Sequence, residues 1–354
     1  MSQMILHDIK SVLPLLDGKK IMLVKGGSFE YLDLRDIFAR LNCVEFSDFT
    51  PNPLYEQVCK GVEIFKNENC EMIVAVGGGS AIDVAKCIKL YCKMDSSLNY
   101  LEQEMKDTGV TLVAIPTTAG TGSESTRHAV IYYNGEKQSV SHQSIVPDYA
   151  VLEPSVLNTL PVYQKKCTML DALCQAIESW WSVNSTDESI ELSGKAIIGI
   201  RDNWKAYIFD NSKEAAGKIL EAANFAGQAI NITATTAAHA MSYKITSLYK
   251  LPHGHAVAVC MPEVWNYIIN NVDRCTDARG NKYLEKTLAD ISHLVEPSWF
   301  DSLLKELDIV NPVSDNRTED IEILAGSVNP VRLKNNPVEL TYEVMKDMYE
   351  RIIK

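Results

Sequence analysis

Apolar positions in the first part of the chain come in short unbroken runs. IMLV (21–24), MIVAV (72–76) and TLVAI (111–115) contain no polar residue except the leading threonine of the last. Runs of this length without alternation predict strands buried on both faces, as in a parallel sheet. Between the first two, residues 53–66 show helical spacing after Pro51-Asn52-Pro53. Residues 129–141, AVIYYNGEKQSVS, predict a hairpin that turns at Asn134-Gly135. After Pro154 the pattern changes. Helical spacing covers 162–182, 187–206, 214–247, 254–270 and 285–306, and strand-like runs nearly vanish. The chain therefore predicts an α/β domain with a parallel sheet over residues 1–154 and an all-α domain over 155–354. Pro154 and Pro161 bracket the switch, and no internal repeat is visible.

Composition narrows the class. At 354 residues, 46% hydrophobic and 23% charged, the chain is an ordinary globular protein of two-domain size. A net charge of −12 argues against nucleic acid or an anionic membrane as partner. Residues 222–243 hold no Asp, Glu, Lys or Arg, yet their Asn, Gln, Thr and His content is too polar for lipid. That stretch predicts a small-residue helix buried in protein. The nine cysteines form no CxxC, and the chain opens on no secretory-type segment. Both features predict reduced thiols and a cytoplasmic location.

Two loops follow predicted strands. VGGGSAIDVAK (76–86) runs from a strand through three glycines into a helix, where backbone amides and the helix N-terminus suit a pyrophosphate. The plainer reading is a tight turn with Ser80 as N-cap and Asp83 closing a capping box. PTTAGTGSES (116–125) adds hydroxyls and two glycines after the next strand. Two such loops at strand C-termini predict a nucleotide crevice.

The helical half raises a metal question. In MLDALCQAIESWW (169–181), Asp171, Gln175 and Glu178 share one helical face among apolar residues. His239 lies in the uncharged stretch, and His253 and His255 lie in LPHGHAVAV. One carboxylate and two imidazoles make a shell for Fe(II) or Zn(II) with an open position. Against this stand a weak capping box at Thr168 for Asp171 and a satisfied core role for His239.

GGGSAIDVAK, PTTAGTGSE, DALCQAIES and HAMSY…LPHGHA, in this order, resemble the iron-containing (group III) alcohol dehydrogenases over nearly the whole chain. The resemblance implies a dehydroquinate-synthase-like architecture, with a dinucleotide-binding domain, a helical domain and an active site between them. It implies that Gly78, Gly79 and Ser80 hold the pyrophosphate and that Asp83 lies toward the nicotinamide. Thr117, Thr118 and Thr121 would line the dinucleotide, and Leu152 would pack nearby. Gly26, Gly27, Ser28 and Asn52 are further cofactor candidates. Asp171, His239 and His253 would bind the metal, and the protein would be at least a homodimer. The chain departs from the family pattern where Gln175 replaces a histidine and Tyr243 stands four residues after His239. Gln175 is then either a weak fourth ligand or a group holding a metal-bound water.

DALCQAIESWWSVNST and HAMSYKITSLYKLPHGHAVA further resemble the phosphonoacetaldehyde reductases of that family. This implies reduction of phosphonoacetaldehyde to 2-hydroxyethylphosphonate, with Arg127, His128 and Lys244 as candidate cations for the anionic end. His255 is the candidate proton donor, with plain pocket lining as its alternative. No acid follows the first strand at Lys25-Gly26-Gly27-Ser28, which favours NADPH slightly over NADH. The competing functions are a general or sulfonated-aldehyde reductase, a dehydroquinate-synthase-like lyase and a non-catalytic binding protein.

Overall fold

A computed structural model of the protein describes residues 3–354. The chain forms two compact units. The first comprises residues up to Pro161 together with Asn211–Leu220, and the second comprises Val162–Asp210 and Glu221–Lys354.

The first unit is built on six strands: β1 (Met4–Leu6), β2 (Ile21–Lys25), β3 (Cys43–Phe46), β4 (Met72–Gly77), β5 (Thr111–Pro116) and β8 (Tyr149–Val151). Their order across the sheet is β1-β8-β5-β4-β2-β3, and every pair is parallel. The three central strands are the unbroken apolar runs. Ile21, Val24, Ile73, Val74 and Val113 are fully buried, as a sheet covered on both faces requires. Chain connections leave β2 and β4 in opposite directions, so the topological switch lies between these two neighbours. Helices α1 (Leu13–Leu16), α2 (Leu34–Phe38), α3 (Tyr55–Asn67) and α4 (Gly79–Tyr91) complete the layers. β6 (His128–Tyr133) and β7 (Glu136–Ser141) form the predicted hairpin, with Asn134 and Gly135 both at positive φ, as a type I′ turn needs.

The second unit is helical: α5 (Val162–Trp181), α6 (Asp187–Ile208), α8 (Ala237–Tyr249), α9 (His253–Asn270), α10 (Asn281–Ser292), α11 (Pro297–Glu306), α12 (Arg317–Ser327), α13 (Pro330–Leu333) and α14 (Tyr342–Ile352). α7 (Lys213–Thr233) runs from the first unit into the second. Among the described residues no helix is long and apolar enough to cross a membrane.

Two predicted helices are each broken in two. The span 285–306 divides at Glu296-Pro297, where the proline starts α11. The span 214–247 divides at residues 234–236, where Ala234 takes a left-handed φ of 56°. The cause lies far away in sequence. Glu178 of α5 accepts from the backbone N–H groups of Ala238 (2.7 Å) and His239 (3.2 Å) and from the Thr236 hydroxyl (3.0 Å). A carboxylate is thus placed at the start of α8, where the first-turn amides have no partner within the helix.

Candidate active site

Asp171 sits in the third turn of α5, too deep for the capping role that Thr168 suggested; the Thr168 hydroxyl instead donates to the Gln164 carbonyl at 2.9 Å. The α8–α9 connection brings the two histidines to Asp171. Lys250 takes a left-handed φ of 54° and ends α8, Pro252 follows, and α9 starts at His253. The His239 and His253 rings lie 5.4 Å apart. Among the described residues, Asp171, His239 and His253 each offer a ligand atom within 4.8 Å of the others.

Gly254 makes this approach possible. A Cβ there would lie 1.9 Å from the Cys167 carbonyl oxygen and 3.0 Å from the Asp171 Cβ. No side chain fits, so α9 packs backbone to backbone against α5.

The electrostatics of the cluster ask for positive charge. His239 Nε2 lies 3.2 Å from Asp171 Oδ1, and its Nδ1 meets Glu178 Oε2 in a short contact. Burial pulls the His239 pKa down. The Glu178 charge and the bonds to Asp171 and Glu178 outweigh that and raise it to about 9. Burial alone would raise the Asp171 pKa, but His253, His239 and a bond from Gln175 hold it below the usual carboxylate value. Glu178 is lowered in the same way, with burial opposed mainly by His239. The Gln175 Oε1, one turn from Asp171, is buried with no hydrogen-bond partner. Two buried carboxylates, an imidazole pair and an orphaned amide oxygen fit a divalent cation. The His253 side chain is 36% exposed and leaves the cluster open to small molecules on that side.

In the first unit the three glycine- and hydroxyl-bearing loops lie side by side at the strand C-termini. Ser28 Oγ is 3.1 Å from Thr117 Oγ1, and Gly26 N donates to the Val76 carbonyl. A Cβ on Gly79 would meet the Thr121 side chain at 3.1 Å, and one on Gly78 would meet Thr118 at 3.5 Å. Gly26, Ser28, Gly78, Gly79, Thr117, Thr118 and Thr121 are thus gathered at the switch point. Gly27 and Ser80 lie in the same turns, at the starts of a 3-10 helix and of α4. Leu152 is buried at the end of β8, donating to the Leu6 carbonyl. Asn52 stands apart in an exposed left-handed turn before α3, with no hydrogen bond to these loops.

Four expectations need correction. Gly78, not Ser80, is the N-cap of α4, and no side chain caps it. Asp83 closes no capping box; its oxygens accept from Ser123 Oγ (2.6 Å) and Val130 N (3.0 Å) and brace the threonine loop. His255 is no free proton donor. Its Nε2 bonds the Val310 carbonyl at 2.8 Å and so carries the proton, which leaves Nδ1 to accept from the Tyr163 hydroxyl. The acid-free end of β2 is not acid-free in space, because Lys25 pairs with Glu30 (2.6 Å) and with Glu45 of β3 (2.8 Å).

The proposed substrate cations are divided. Arg127 and His128 open the hairpin of the first unit, and the His128 carbonyl accepts from the buried Lys86 at 2.7 Å. Lys244 is in the second unit, five residues past His239, a spacing that turns it off the His239 face. Lys86 was not anticipated. It also donates to Ser123 and Thr126, and burial lowers its pKa to about 8.

Residues 3–154 match the family model described as iron-containing alcohol dehydrogenase, and residues 166–353 match the Fe-containing alcohol dehydrogenase family, C-terminal. The chain belongs to the iron-containing alcohol dehydrogenase family. It is 31% identical to alcohol dehydrogenase 4 of Saccharomyces cerevisiae over 97% of this chain and 92% of that one. It is 34% identical to the probable alcohol dehydrogenase EutG of Escherichia coli, over 61% of this chain and only 56% of EutG. Its structure is similar to that of a sulfoacetaldehyde reductase from Bifidobacterium kashiwanohense in complex with NAD+. The two superpose with a TM-score of 0.88 at 25% identity, covering 99% of this chain and 96% of the other. Membership makes the chain an oxidoreductase of the alcohol dehydrogenase class with a nicotinamide cofactor, and the helical unit carries the candidate metal centre of this iron-containing alcohol dehydrogenase.

Proposed function

We propose that the protein reduces a small aldehyde bearing an anionic group, with phosphonoacetaldehyde as the substrate and 2-hydroxyethylphosphonate as the product. The observation that carries the reductase reading is the convergence of Asp171, His239 and His253 from three helices. These three residues would hold Fe(II), or alternatively Zn(II), with the orphaned Gln175 oxygen as a fourth donor. When bound, the ion supplies Lewis acidity at the carbonyl and the nicotinamide supplies hydride. Glu178 holds the Nδ1 proton of His239 and so keeps Nε2 turned toward Asp171. Both His255 nitrogens are bonded to Tyr163 and Val310, so the product's proton would come from water on the exposed side of His253.

The test is consumption of reduced nicotinamide by metal-stripped protein and by protein reloaded with Fe(II) or Zn(II). Phosphonoacetaldehyde, sulfoacetaldehyde and propanal are compared. Metal-dependent turnover that is fastest with phosphonoacetaldehyde is expected. Preference for sulfoacetaldehyde or propanal would replace the substrate. Reaction of a sugar phosphate without net cofactor consumption would replace the reductase with a lyase.

Cofactor choice follows from Lys25. With Glu30 and Glu45 on its ammonium, a 2′-phosphate there would meet two carboxylates, whereas a 2′-hydroxyl can donate to one. We expect kcat/KM for NADH to exceed that for NADPH by about tenfold, equivalent to roughly 1.4 kcal/mol. Glu45→Gln should narrow the gap. A wild-type preference for NADPH would remove this assignment.

A further inference from the structure

We propose that Arg332 recognises the anionic end of the substrate, a small aldehyde with a tetrahedral oxyanion close to its carbonyl. The proposal rests on the aldehyde-reductase reading above and names the residue that selects the substrate class. Tyr243 is one turn past His239 on α8, and its ring stacks on His253 at 5.5 Å with 7° between the planes. Arg332, from α13, lies against Tyr243, with its guanidinium carbon 4.9 Å from the ring centre and Nη1 donating to the hydroxyl at 3.0 Å. His253, Tyr243 and Arg332 therefore form a continuous stack that leads from the ligand cluster to a cation.

That cation has no acid. Among the described residues no carboxylate pairs with Arg332, and its bond to Tyr243 is its one hydrogen bond. Arg201, Arg279 and Arg351 of the same unit each meet a carboxylate. Among the described residues Arg274 and Arg317 also meet no carboxylate, but both are exposed and bond tyrosine or backbone oxygens, whereas Arg332 is half-buried. Four of its five N–H donors remain for a ligand. A planar fork of donors matches two oxygens of a phosphonate or sulfonate. The guanidinium thus stands one aromatic ring beyond His253, after steps of 5.5 Å and 4.9 Å. Lys244, turned off the His239 face, takes no part in this stack.

Arg332→Ala and Arg332→Lys separate the possibilities. The first readout is the ratio of kcat/KM for phosphonoacetaldehyde and for sulfoacetaldehyde to that for propanal. The second is calorimetric binding of 2-hydroxyethylphosphonate and 2-hydroxyethanesulfonate to metal-loaded protein without nicotinamide. In Arg332→Ala the ratio should fall and binding weaken by about 30-fold, the scale of one lost charge-assisted contact. Arg332→Lys should recover part of both, because it keeps the charge but not the fork. Whichever oxyanion binds wild type more tightly names the source. If wild type prefers an anionic aldehyde and Arg332→Ala keeps that preference and that binding, the proposal is overturned. Failure of wild type to reduce any aldehyde would sink the reductase reading instead, and the binding measurement would still judge Arg332. Should Arg332→Ala misfold, Arg332→Gln keeps most of the volume and gives the same readouts.

Discussion

Gly254→Ala is expected to cost the protein its candidate metal site and about 3 kcal/mol or more of stability. The added methyl would stand 1.9 Å from the Cys167 carbonyl oxygen. A backbone oxygen inside α5 cannot swing aside as a side chain would, so α9 must retreat. His253 is the neighbouring residue and retreats with it, and the Asp171 Cβ is itself only 3.0 Å from the new group. Metal affinity, read by competition with a chromophoric chelator, should fall at least about 100-fold, beyond what loss of one supporting contact produces. Thermal unfolding of the metal-free protein reads the packing cost separately. Wild-type affinity together with wild-type melting in the variant would show that α9 does not need this close approach.

The second large effect is at Glu178. This carboxylate is fully buried and accepts from two backbone amides, a hydroxyl and the His239 ring. Glu178→Ala strands all four donors and should destabilise the fold by roughly 3–5 kcal/mol. Glu178→Gln is the sharper experiment. One amide oxygen can still accept from the start of α8, but the other position becomes an N–H donor facing His239 Nδ1. The ring then gives up its Nδ1 proton and carries one on Nε2, the nitrogen that faces Asp171. Metal affinity should drop about 10- to 100-fold while the helix content survives. Nitrogen-15 NMR of the imidazole would read the tautomer directly. An unchanged tautomer and unchanged affinity would reduce Glu178 to a helix cap.

Much of this arrangement can be read in the chain. The three central strands are legible because a doubly covered sheet needs unbroken apolar runs, and IMLV, MIVAV and TLVAI have nothing else to be. The edge strands β1 and β3, and β8 beside β1, are three or four residues long and carry no such signal. Asp171, His239 and His253 can be picked out by residue type and motif order. Their convergence depends on Lys250 in a left-handed turn and on the missing Cβ of Gly254, neither of which has a periodicity. The break at 234–236 is illegible locally, because the carboxylate that sustains it is on another helix. Arg332 escaped for a similar reason: nothing near it in sequence is chemically active, and only the stack on Tyr243 ties it to the site. His255 misled, since it lies two residues from a candidate ligand yet points both nitrogens at structural partners. The pairing of Lys25 with Glu45 likewise exists only once β2 and β3 are adjacent.

The Glu178 contact to α8 also bears on how that helix gains its shape. α8 is thirteen residues long, near the lower limit at which a helix holds together alone in water. Its first turn borrows an acceptor from α5, and a left-handed residue stands at its end as well as before its start. The segment therefore gains its shape on docking rather than before it.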